Sequence, residues 1–310
     1  MVKKEDFYFA SRDGEHKIHA IKWIPDVEKP VCILQIVHGM AEYIDRYDEF
    51  AHFLAERGIL VVGDDHLGHG KTVKPGELFG YFCKEDAPTV LVRDEHRLKK
   101  IMQKQYEDIP YIILGHSMGS FITRNYLLKY SAGLNGAMIV GTGMQSKPAL
   151  VAALVLSSLQ KMIFGDKHVA QLINLMSFGT YTKRIQSPKT PMDWLSRNED
   201  NVRRYVKDPM CGFVFTVNGF QTLFKLIYNL HDQEKLRKMP KNLPVFFLSG
   251  QDDPVGDYGK GVERVYQSFK EIGMENVHMK LYPYDRHELL NEVDREDVYG
   301  DIYRWILRRI

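Results

Sequence analysis

The chain of 310 residues contains only three cysteines, and its charges nearly cancel. Cys32, Cys83 and Cys211 lie far apart and are odd in number, which predicts a reducing compartment and no disulfide framework. The formal net charge is +2, and no long basic run occurs. Nothing in the charge pattern therefore indicates a nucleic-acid partner.

Long apolar runs are also missing. The first residues, Met1–Asp6, carry charges with no apolar stretch behind them, so we expect no secretory signal. The longest uninterrupted apolar run, Ala149–Leu156, is too short to span a bilayer. There is no internal repeat and no low-complexity segment. These absences predict a soluble cytoplasmic protein.

Strand-like and helix-like segments alternate over most of the chain. Two opening strands joined at Asp13-Gly14 predict a hairpin. Six further strands are predicted at Val31–Val37, Ile59–Gly63, Tyr111–Leu114, Gly136–Val140, Val245–Leu248 and Val277–Tyr282. A final helix is expected over Leu289–Ile310. Repeated strand–helix–strand units imply an α/β fold with a mostly parallel eight-stranded sheet and helices on both faces.

The region 146–235 departs from this alternation, because it has two clusters of helical character, Ala149–Phe164 and Phe213–Leu230, but no clean buried strand. A polar, turn-rich stretch separates the two clusters. We interpret the whole region as a helical cap inserted into a core formed by residues 1–145 and 236–310. Its first helical segment, Ala149–Leu156, is apolar on every side, which is unusual for a surface helix. Ordinary packing between cap and core explains this pattern, and so does an apolar wall for a fatty chain or a surface that touches lipid.

The stretch Gly115-His116-Ser117-Met118-Gly119 lies between a predicted strand and a predicted helix. A Gly-x-Ser-x-Gly turn in this context is the nucleophile elbow of serine hydrolases. The two glycines remove Cβ atoms that would collide with the neighbouring strand and helix. We therefore predict that Ser117 is a catalytic nucleophile.

A serine nucleophile needs a base and an acid, which follow it in the chain in this kind of fold. His278 lies inside a predicted strand, whereas His287 lies on the loop after it, so His287 is the predicted base. The acid is expected just after the strand Val245–Leu248, where Asp252 and Asp253 compete. We favour Asp253, since the third residue after the turn at Gly250 usually points back across the sheet.

The tetrahedral intermediate of acyl transfer needs two hydrogen-bond donors for its oxyanion. The backbone N–H of Met118 is one candidate, and the N–H of Met40, in the loop His38–Glu42, is the other. We expect the substrate pocket to include His38, Gly39, His116 and Val255. Asp285 is close to His287 in sequence, but a loop or ion-pair role suits it better.

Five motifs together resemble one family. The oxyanion loop His38–Glu42, the segment Asp65–Gly70, the elbow Gly115–Gly119, the acid motif Gly250–Asp253 and the position of His287 are similar to those of monoacylglycerol lipases and lysophospholipases. The resemblance implies the α/β-hydrolase fold, a serine aminopeptidase-like family, and hydrolysis of a fatty-acid ester of glycerol or a related alcohol. It covers both halves of the core and is weak across the cap.

The chain departs from that family's pattern at two places. Tyr43 replaces a histidine found in many members, and Lys71-Thr72 replaces a smaller or serine-containing pair. Neither departure touches the predicted catalytic residues, but both leave the head group of the substrate open.

Other motifs suggest no cofactor. Gly70-Lys71-Thr72 lacks the preceding glycine of a phosphate loop, and the segment after Gly141-Thr142-Gly143 lacks a dinucleotide fingerprint. His66 and His69 have no third metal ligand nearby in sequence, so a structural turn is the better interpretation. We expect no metal and no cofactor, with a small ester or lipid as the ligand and transient membrane contact through the cap as a further possibility.

Three alternatives remain open at the level of sequence. The first is a general short-chain carboxylesterase, and the second is an aminopeptidase of the proline-iminopeptidase type. Residues 147–235 contain twelve Lys and Arg against seven Asp and Glu, which disfavours a site for a free amino terminus. The third is a hydrolase fold retained as a receptor, which would predict a broken catalytic triad.

Overall fold

The computed structural model describes residues 1–310 and contains one eight-stranded sheet with the strand order β1-β2-β4-β3-β5-β6-β7-β8. The strands are β1 (Lys3–Ala10), β2 (Lys17–Ile24), β3 (Cys32–Val37), β4 (Ile59–Asp64), β5 (Tyr111–His116), β6 (Gly136–Val140), β7 (Val245–Gly250) and β8 (Val277–Tyr282). β1 and β2 form the predicted antiparallel hairpin, and β2 also pairs antiparallel with β4. The other neighbouring pairs are parallel.

Ten α-helices accompany the sheet. They are α1 (Asp48–Ala55), α2 (Ala87–Gln105), α3 (Met118–Tyr130), α4 (Lys147–Phe164), α5 (Gln171–Phe178), α6 (Glu199–Lys207), α7 (Val217–Asn229), α8 (Gln233–Arg237), α9 (Lys260–Glu271) and α10 (Arg295–Leu307). Apolar residues of α1 and α10 form the core on one face of the sheet. Those of α2, α3 and α9 form the core on the other face.

This arrangement confirms the predicted α/β class, the mostly parallel eight-stranded sheet and the helices on both faces. The central strands β3, β4, β5, β6 and β7 are buried at every position, as their continuous apolar runs predict. The parallel strands bring the loops after β3, β5, β7 and β8 to the same edge of the sheet.

The predicted C-terminal helix is too long. Leu289–Asn291 forms a short 3₁₀ turn, Glu292 is extended, and α10 begins only at Arg295. Leu289 and Leu290 are buried and mimic the apolar register of the helix. The side chain of Glu292 instead accepts backbone N–H groups from Arg197 and Arg286, which holds the chain out of the helix.

The segment between β6 and β7 contains α4 to α8 and adds no strand to the sheet. The sequence predicted the two longer helices, but it assigned residues between them to turns, and the structure places α5 and α6 there. Both helices are short, and the polar residues and prolines between them gave this stretch the pattern of turns. For this reason the sequence did not indicate α5 or α6. The boundary predicted at residue 235 falls inside α8, so the division into core and cap stays a prediction.

Helix α4 is long and apolar enough, by length and composition alone, to cross a membrane. The sequence-based expectation counted only the eight-residue run Ala149–Leu156 and missed this property. In the structure α4 packs on α7, and its outward side chains are exposed.

Substitution of Phe247, a residue of β7, tests the assignment of the hydrophobic core. Phe247 is fully buried and packs edge-on against Phe269 of α9, with ring centroids 5.2 Å apart. We expect Phe247→Ala to lower the free energy of unfolding by about 3–5 kcal/mol, because it removes a large buried ring and leaves a cavity. Phe164→Ala, at the exposed end of α4, should change it by less than about 0.5 kcal/mol. Urea denaturation of both variants measures the difference, and equal effects would contradict this assignment of the core.

Candidate active site

Ser117 occupies a sharp turn between β5 and α3. Its backbone has φ 55° and ψ −119°, a conformation that costs a residue with a side chain about 1–3 kcal/mol. A Cβ on Gly115 would lie 2.2 Å from the Thr123 hydroxyl oxygen, and one on Gly119 would lie 2.0 Å from the carbonyl oxygen of Val37. This is the steric role that the sequence predicts for the two glycines.

His287 and Asp253 come together at the edge of the sheet where β7 and β8 end. The Nδ1–H of His287 donates to an oxygen of Asp253 over 2.9 Å, and both side chains are buried. The other oxygen of Asp253 accepts the backbone N–H of Val255 at 2.8 Å. This arrangement fixes the ring and leaves Nε2 as the nitrogen that can accept a proton.

The competing residues lie elsewhere. Asp252 is exposed, and its backbone N–H donates to the carbonyl oxygen of Asp285. His278 is exposed on β8 and contacts Arg309 at the far end of the chain. The side chain of Asp285 pairs with Arg197, as the sequence predicts for an ion-pair residue. The geometry thus favours Asp253 over Asp252 and His287 over His278.

The loop after β3 lies directly against Ser117. A Cβ on Gly39 would approach the Ser117 Cβ to 3.0 Å. The N–H of Gly39 donates to Glu42 at 2.6 Å, and that of Ala41 donates to His69 Nε2 at 3.3 Å. The N–H of Met40, between them, makes no hydrogen bond, and that of Met118 is at the first turn of α3, where helix N–H groups have no partner in the helix. Both suit an oxyanion hole.

Glu42 ties this loop to the loop that carries His287. Its carboxylate accepts from Tyr47 at 2.8 Å and from Arg46 at 2.6 Å, and it contacts His116. Arg46 also donates to both oxygens of Glu288, each at 2.8 Å. Burial acts to raise the pKa of Glu42, but His116 and Arg46 outweigh burial and hold that pKa well below its usual range. The carboxylate is therefore ionised at neutral pH.

A large apolar cavity of about 970 Å³ opens beside these residues. Of the 39 residues that line it, 25 are hydrophobic, and the polar ones include Ser117 and His287. The expected pocket residues Gly39, His116 and Val255 line it. His38 does not, which corrects the prediction: its ring stacks on His66 behind the loop, with centroids 3.9 Å apart.

Sequence reasoning missed several residues at this cavity. Trp194 packs its ring 5.1 Å from the ring of His287, and Tyr181 lies edge-on to Trp194. Both residues come from the region between β6 and β7, where the sequence carries no catalytic motif. Glu288 was also missed, although it directly follows His287.

Two groups of His and acidic side chains could hold a cation. One contains Asp64, His66 and Glu95, and the other contains Asp285, Glu292 and Asp294. Burial acts to lower the pKa of His66, but the carboxylates of Asp64 and Glu95 outweigh it and raise that pKa to about 10. Burial lowers the pKa of the neighbouring His69 to about 3, so these two adjacent rings differ in charge.

The hydrogen bond from His287 to Asp253 yields a prediction. We expect Asp253→Asn to reduce kcat by about 10⁴-fold, because an amide cannot hold the imidazole in the tautomer that accepts a proton. Asp252→Asn, a matched change at the exposed neighbour, should stay within about threefold of the parent protein. Steady-state kinetics on a chromogenic ester compares them. A larger loss of kcat for Asp252→Asn than for Asp253→Asn would show that Asp253 is not the catalytic acid.

Comparison with known proteins agrees with this geometry. A carboxyl esterase from Bacillus coagulans, solved in complex with glycerol, superposes with a TM-score of 0.91 at 32% identity and covers 100% of this chain and 99% of its own. A monoacylglycerol lipase of Mycolicibacterium smegmatis is 25% identical over 99% of this chain and 98% of its own length. A monoglyceride lipase of Mus musculus is 26% identical over 98% of this chain and 90% of its own length. The model of the family described as serine aminopeptidase, S33, matches residues 28–294, and the chain therefore belongs to this family of α/β-hydrolases.

Proposed function

We propose that this chain is a serine carboxylic ester hydrolase that cleaves fatty-acid esters of the monoacylglycerol or lysophospholipid type. One observation carries the proposal: a mostly apolar cavity of about 970 Å³ is lined by both Ser117 and His287. This volume is at the upper end of the range of about 300–1,000 Å³ for ligand pockets. Such a cavity suits an acyl chain beside a nucleophile.

In the proposed mechanism, Ser117 Oγ attacks the ester carbonyl while His287 Nε2 takes its proton. Asp253 orients the ring and stabilises the imidazolium. The N–H groups of Met40 and Met118 donate to the oxyanion of the tetrahedral intermediate. His287 then protonates the departing alcohol, and the acyl group remains on Ser117. Water, activated by His287, releases the fatty acid and restores the serine.

The relatives support the substrate class. The proteins from Mycolicibacterium smegmatis and Mus musculus are named for hydrolysis of monoacylglycerols, and both align with nearly the whole chain. The alignment includes the region between β6 and β7, which supplies most of the cavity wall. We therefore favour a lipid ester over an ester of arbitrary structure.

The charges at the cavity disfavour an aminopeptidase, despite the name of the family. A site for a free amino terminus needs an unpaired carboxylate. The acidic residues that line the cavity are Glu42 and Glu288, and the guanidinium of Arg46 pairs with both. Neither carboxylate remains for a substrate amine.

Helix α4 explains how the acyl chain is held. Leu150, Ala153 and Leu156 line the cavity, whereas Val151 and Val155 on the other side are exposed. The helix is apolar all round because one side faces the cavity and the other, also apolar, is exposed on the surface. We propose that the inner side is the wall of an acyl site.

The outer side of the same region suits transient contact with a lipid surface. Met162, Ile163 and Phe164 at the end of α4 are exposed to 82%, 69% and 59%, and Leu175 and Met176 of α5 are also exposed. Both helices line the cavity, so an enzyme resting on lipid through them would present the cavity to its substrate. A cytoplasmic location stays a prediction.

The nucleophile is tested with a monoacylglycerol. We expect Ser117→Ala to lower kcat for a long-chain monoacylglycerol by about 10⁶-fold, because the acyl-enzyme cannot form. The parent protein should release fatty acid from the same substrate and leave prolyl-naphthylamide intact. Cleavage of the prolyl amide, or activity retained without the serine hydroxyl, would refute the proposal.

The acyl wall predicts a dependence on chain length. Each buried CH₂ contributes about 0.8 kcal/mol, so kcat/KM should rise along a series of p-nitrophenyl esters and then level. Ala153→Trp would narrow the cavity and should lower kcat/KM for the dodecanoate at least about tenfold, with the acetate within about twofold. Val151→Trp, on the outer side of the same helix, is the control. A flat profile in the parent protein would favour the short-chain carboxylesterase alternative.

Lipid contact is tested by sedimentation with phosphatidylcholine vesicles. The triple variant Met162→Ser, Ile163→Ser, Phe164→Ser should reduce the fraction bound at least about fivefold, because it removes apolar side chains from the proposed contact. Tyr8→Ser, an exposed position on β1 outside the cap, serves as the control. Binding unchanged in the triple variant would exclude this surface.

A further inference from the structure

Three ionisable side chains meet below the loop that carries Met40. Asp64 ends β4, His66 follows two residues later, and Glu95 lies on α2. His66 Nδ1 lies 3.3 Å from an oxygen of Glu95 and 3.7 Å from an oxygen of Asp64. We propose that these residues form a site for a divalent cation, best fitted by Zn²⁺, which braces the oxyanion loop.

The ring of His66 is oriented with Nδ1 toward the two carboxylates. Its Nε2 lies 3.1 Å from the carbonyl oxygen of His38, and a carbonyl oxygen only accepts, so Nε2 carries a proton. Nδ1 is the nitrogen that faces Asp64 and Glu95, and a bound metal ion would displace the proton that these carboxylates otherwise favour there. A cation between the two buried carboxylates would offset their mutual repulsion. A carbonyl that fixes the far nitrogen is also the usual support of a metal-binding histidine.

A count of the hydrogen bonds favours a cation over a single proton. Both oxygens of Asp64 and Oε1 of Glu95 are buried and receive no hydrogen bond. Asp64 is 1% exposed and Glu95 is 0% exposed. One proton on Nδ1 can serve only one of these three oxygens. A divalent cation with a bound water takes ligands from both carboxylates and the imidazole together.

The spacing supports the same conclusion. A central ion with bonds of about 2.0–2.2 Å and tetrahedral angles separates its ligands by about 3.3–3.6 Å. The distances of 3.3 and 3.7 Å are near this separation and are long for direct N–H···O bonds. One imidazole and two carboxylates form a donor set that suits Zn²⁺ better than Mg²⁺ or Ca²⁺, which prefer oxygen ligands alone.

The remaining contacts of Glu95 support this role. Its other oxygen, Oε2, accepts from the Gln35 amide at 2.6 Å, and the Tyr111 hydroxyl donates to Gln35 at 2.5 Å. This chain of bonds holds the carboxylate in place with Oε1 turned toward His66. Within the sequence, Glu95 is 29 residues from His66, and for this reason the sequence offered no third ligand.

The second acidic group provides a contrast. Arg197 pairs with Asp285, Glu292 and Asp294, and backbone N–H groups of Arg197 and Arg286 donate to Glu292. A guanidinium already supplies the positive charge there. Asp64 and Glu95 pair with no lysine or arginine, and the imidazole of His66 is the one basic side chain paired with them.

A cation at this site would connect α2 to the oxyanion loop. The backbone N–H of His66 donates to His38 Nε2 at 3.0 Å, and its ring donates to the His38 carbonyl. Two bonds thus join His66 to the residue that precedes Gly39 and Met40. Fixing His66 against Asp64 and Glu95 would limit the movement of that loop.

The test measures Zn²⁺ alone. The full chain is treated with EDTA, desalted, incubated overnight with equimolar Zn²⁺, desalted again and analysed by inductively coupled plasma mass spectrometry. We expect about one Zn²⁺ per chain and a rise in Tm of several degrees, because the ion binds only the folded state. Mg²⁺ at the same concentration should change neither quantity. A Zn²⁺ content below about 0.1 per chain is the background expected from surface histidines. That content, together with an unchanged Tm, would overturn the proposal.

Variants locate the ion. Glu95→Gln and Asp64→Asn keep the volume of each side chain and should weaken Zn²⁺ binding at least about tenfold. Asp294→Asn, in the second acidic group, should bind Zn²⁺ as the parent does. Equal binding by all variants would place the ion elsewhere and refute the site. Where a variant does not fold, the stoichiometry and Tm of the parent chain still decide.

Discussion

The close packing of backbone around Ser117 is the constraint on which the candidate site depends. Gly119 sits so near the Val37 carbonyl that no side chain fits between them, and Ser117 is held at a positive φ. The same contact brings α3 against the end of β3 and places the loop of Gly39 and Met40 beside the serine. One steric arrangement therefore sets both the nucleophile and the proposed oxyanion donors.

Pairing of buried charges then fixes the positions of the two loops that carry Met40 and His287. Glu42 joins the oxyanion loop to Arg46, and Arg46 joins it to Glu288 beside His287. These groups are buried, so each must have a partner if the fold is to tolerate its charge. The pairing also leaves the cavity without a free carboxylate, which disfavours a ligand with a free amino terminus.

Local patterns predicted the sheet well, because the central strands are buried on both faces and read as continuous apolar runs. Chain order and strand ends also led to the assignment of Ser117, His287 and Asp253, which stays a prediction, and the folded chain brings His287 and Asp253 together. Local patterns failed at Leu289–Glu292, where tertiary bonds to Arg197 and Arg286 override an apolar register. Trp194 and the pairing of His66 with Glu95 were beyond reach, because only the folded chain brings those residues together.

The central claim is that Ser117 is the nucleophile activated by His287. Labelling with a fluorophosphonate, followed by peptide mapping, tests it most directly, because the probe reacts with an activated serine and reports its position. The account predicts one adduct per chain, located on Ser117, and a labelling rate reduced at least about 100-fold in the variant His287→Ala. An adduct on another residue, or a rate unaffected by loss of the imidazole, would contradict it.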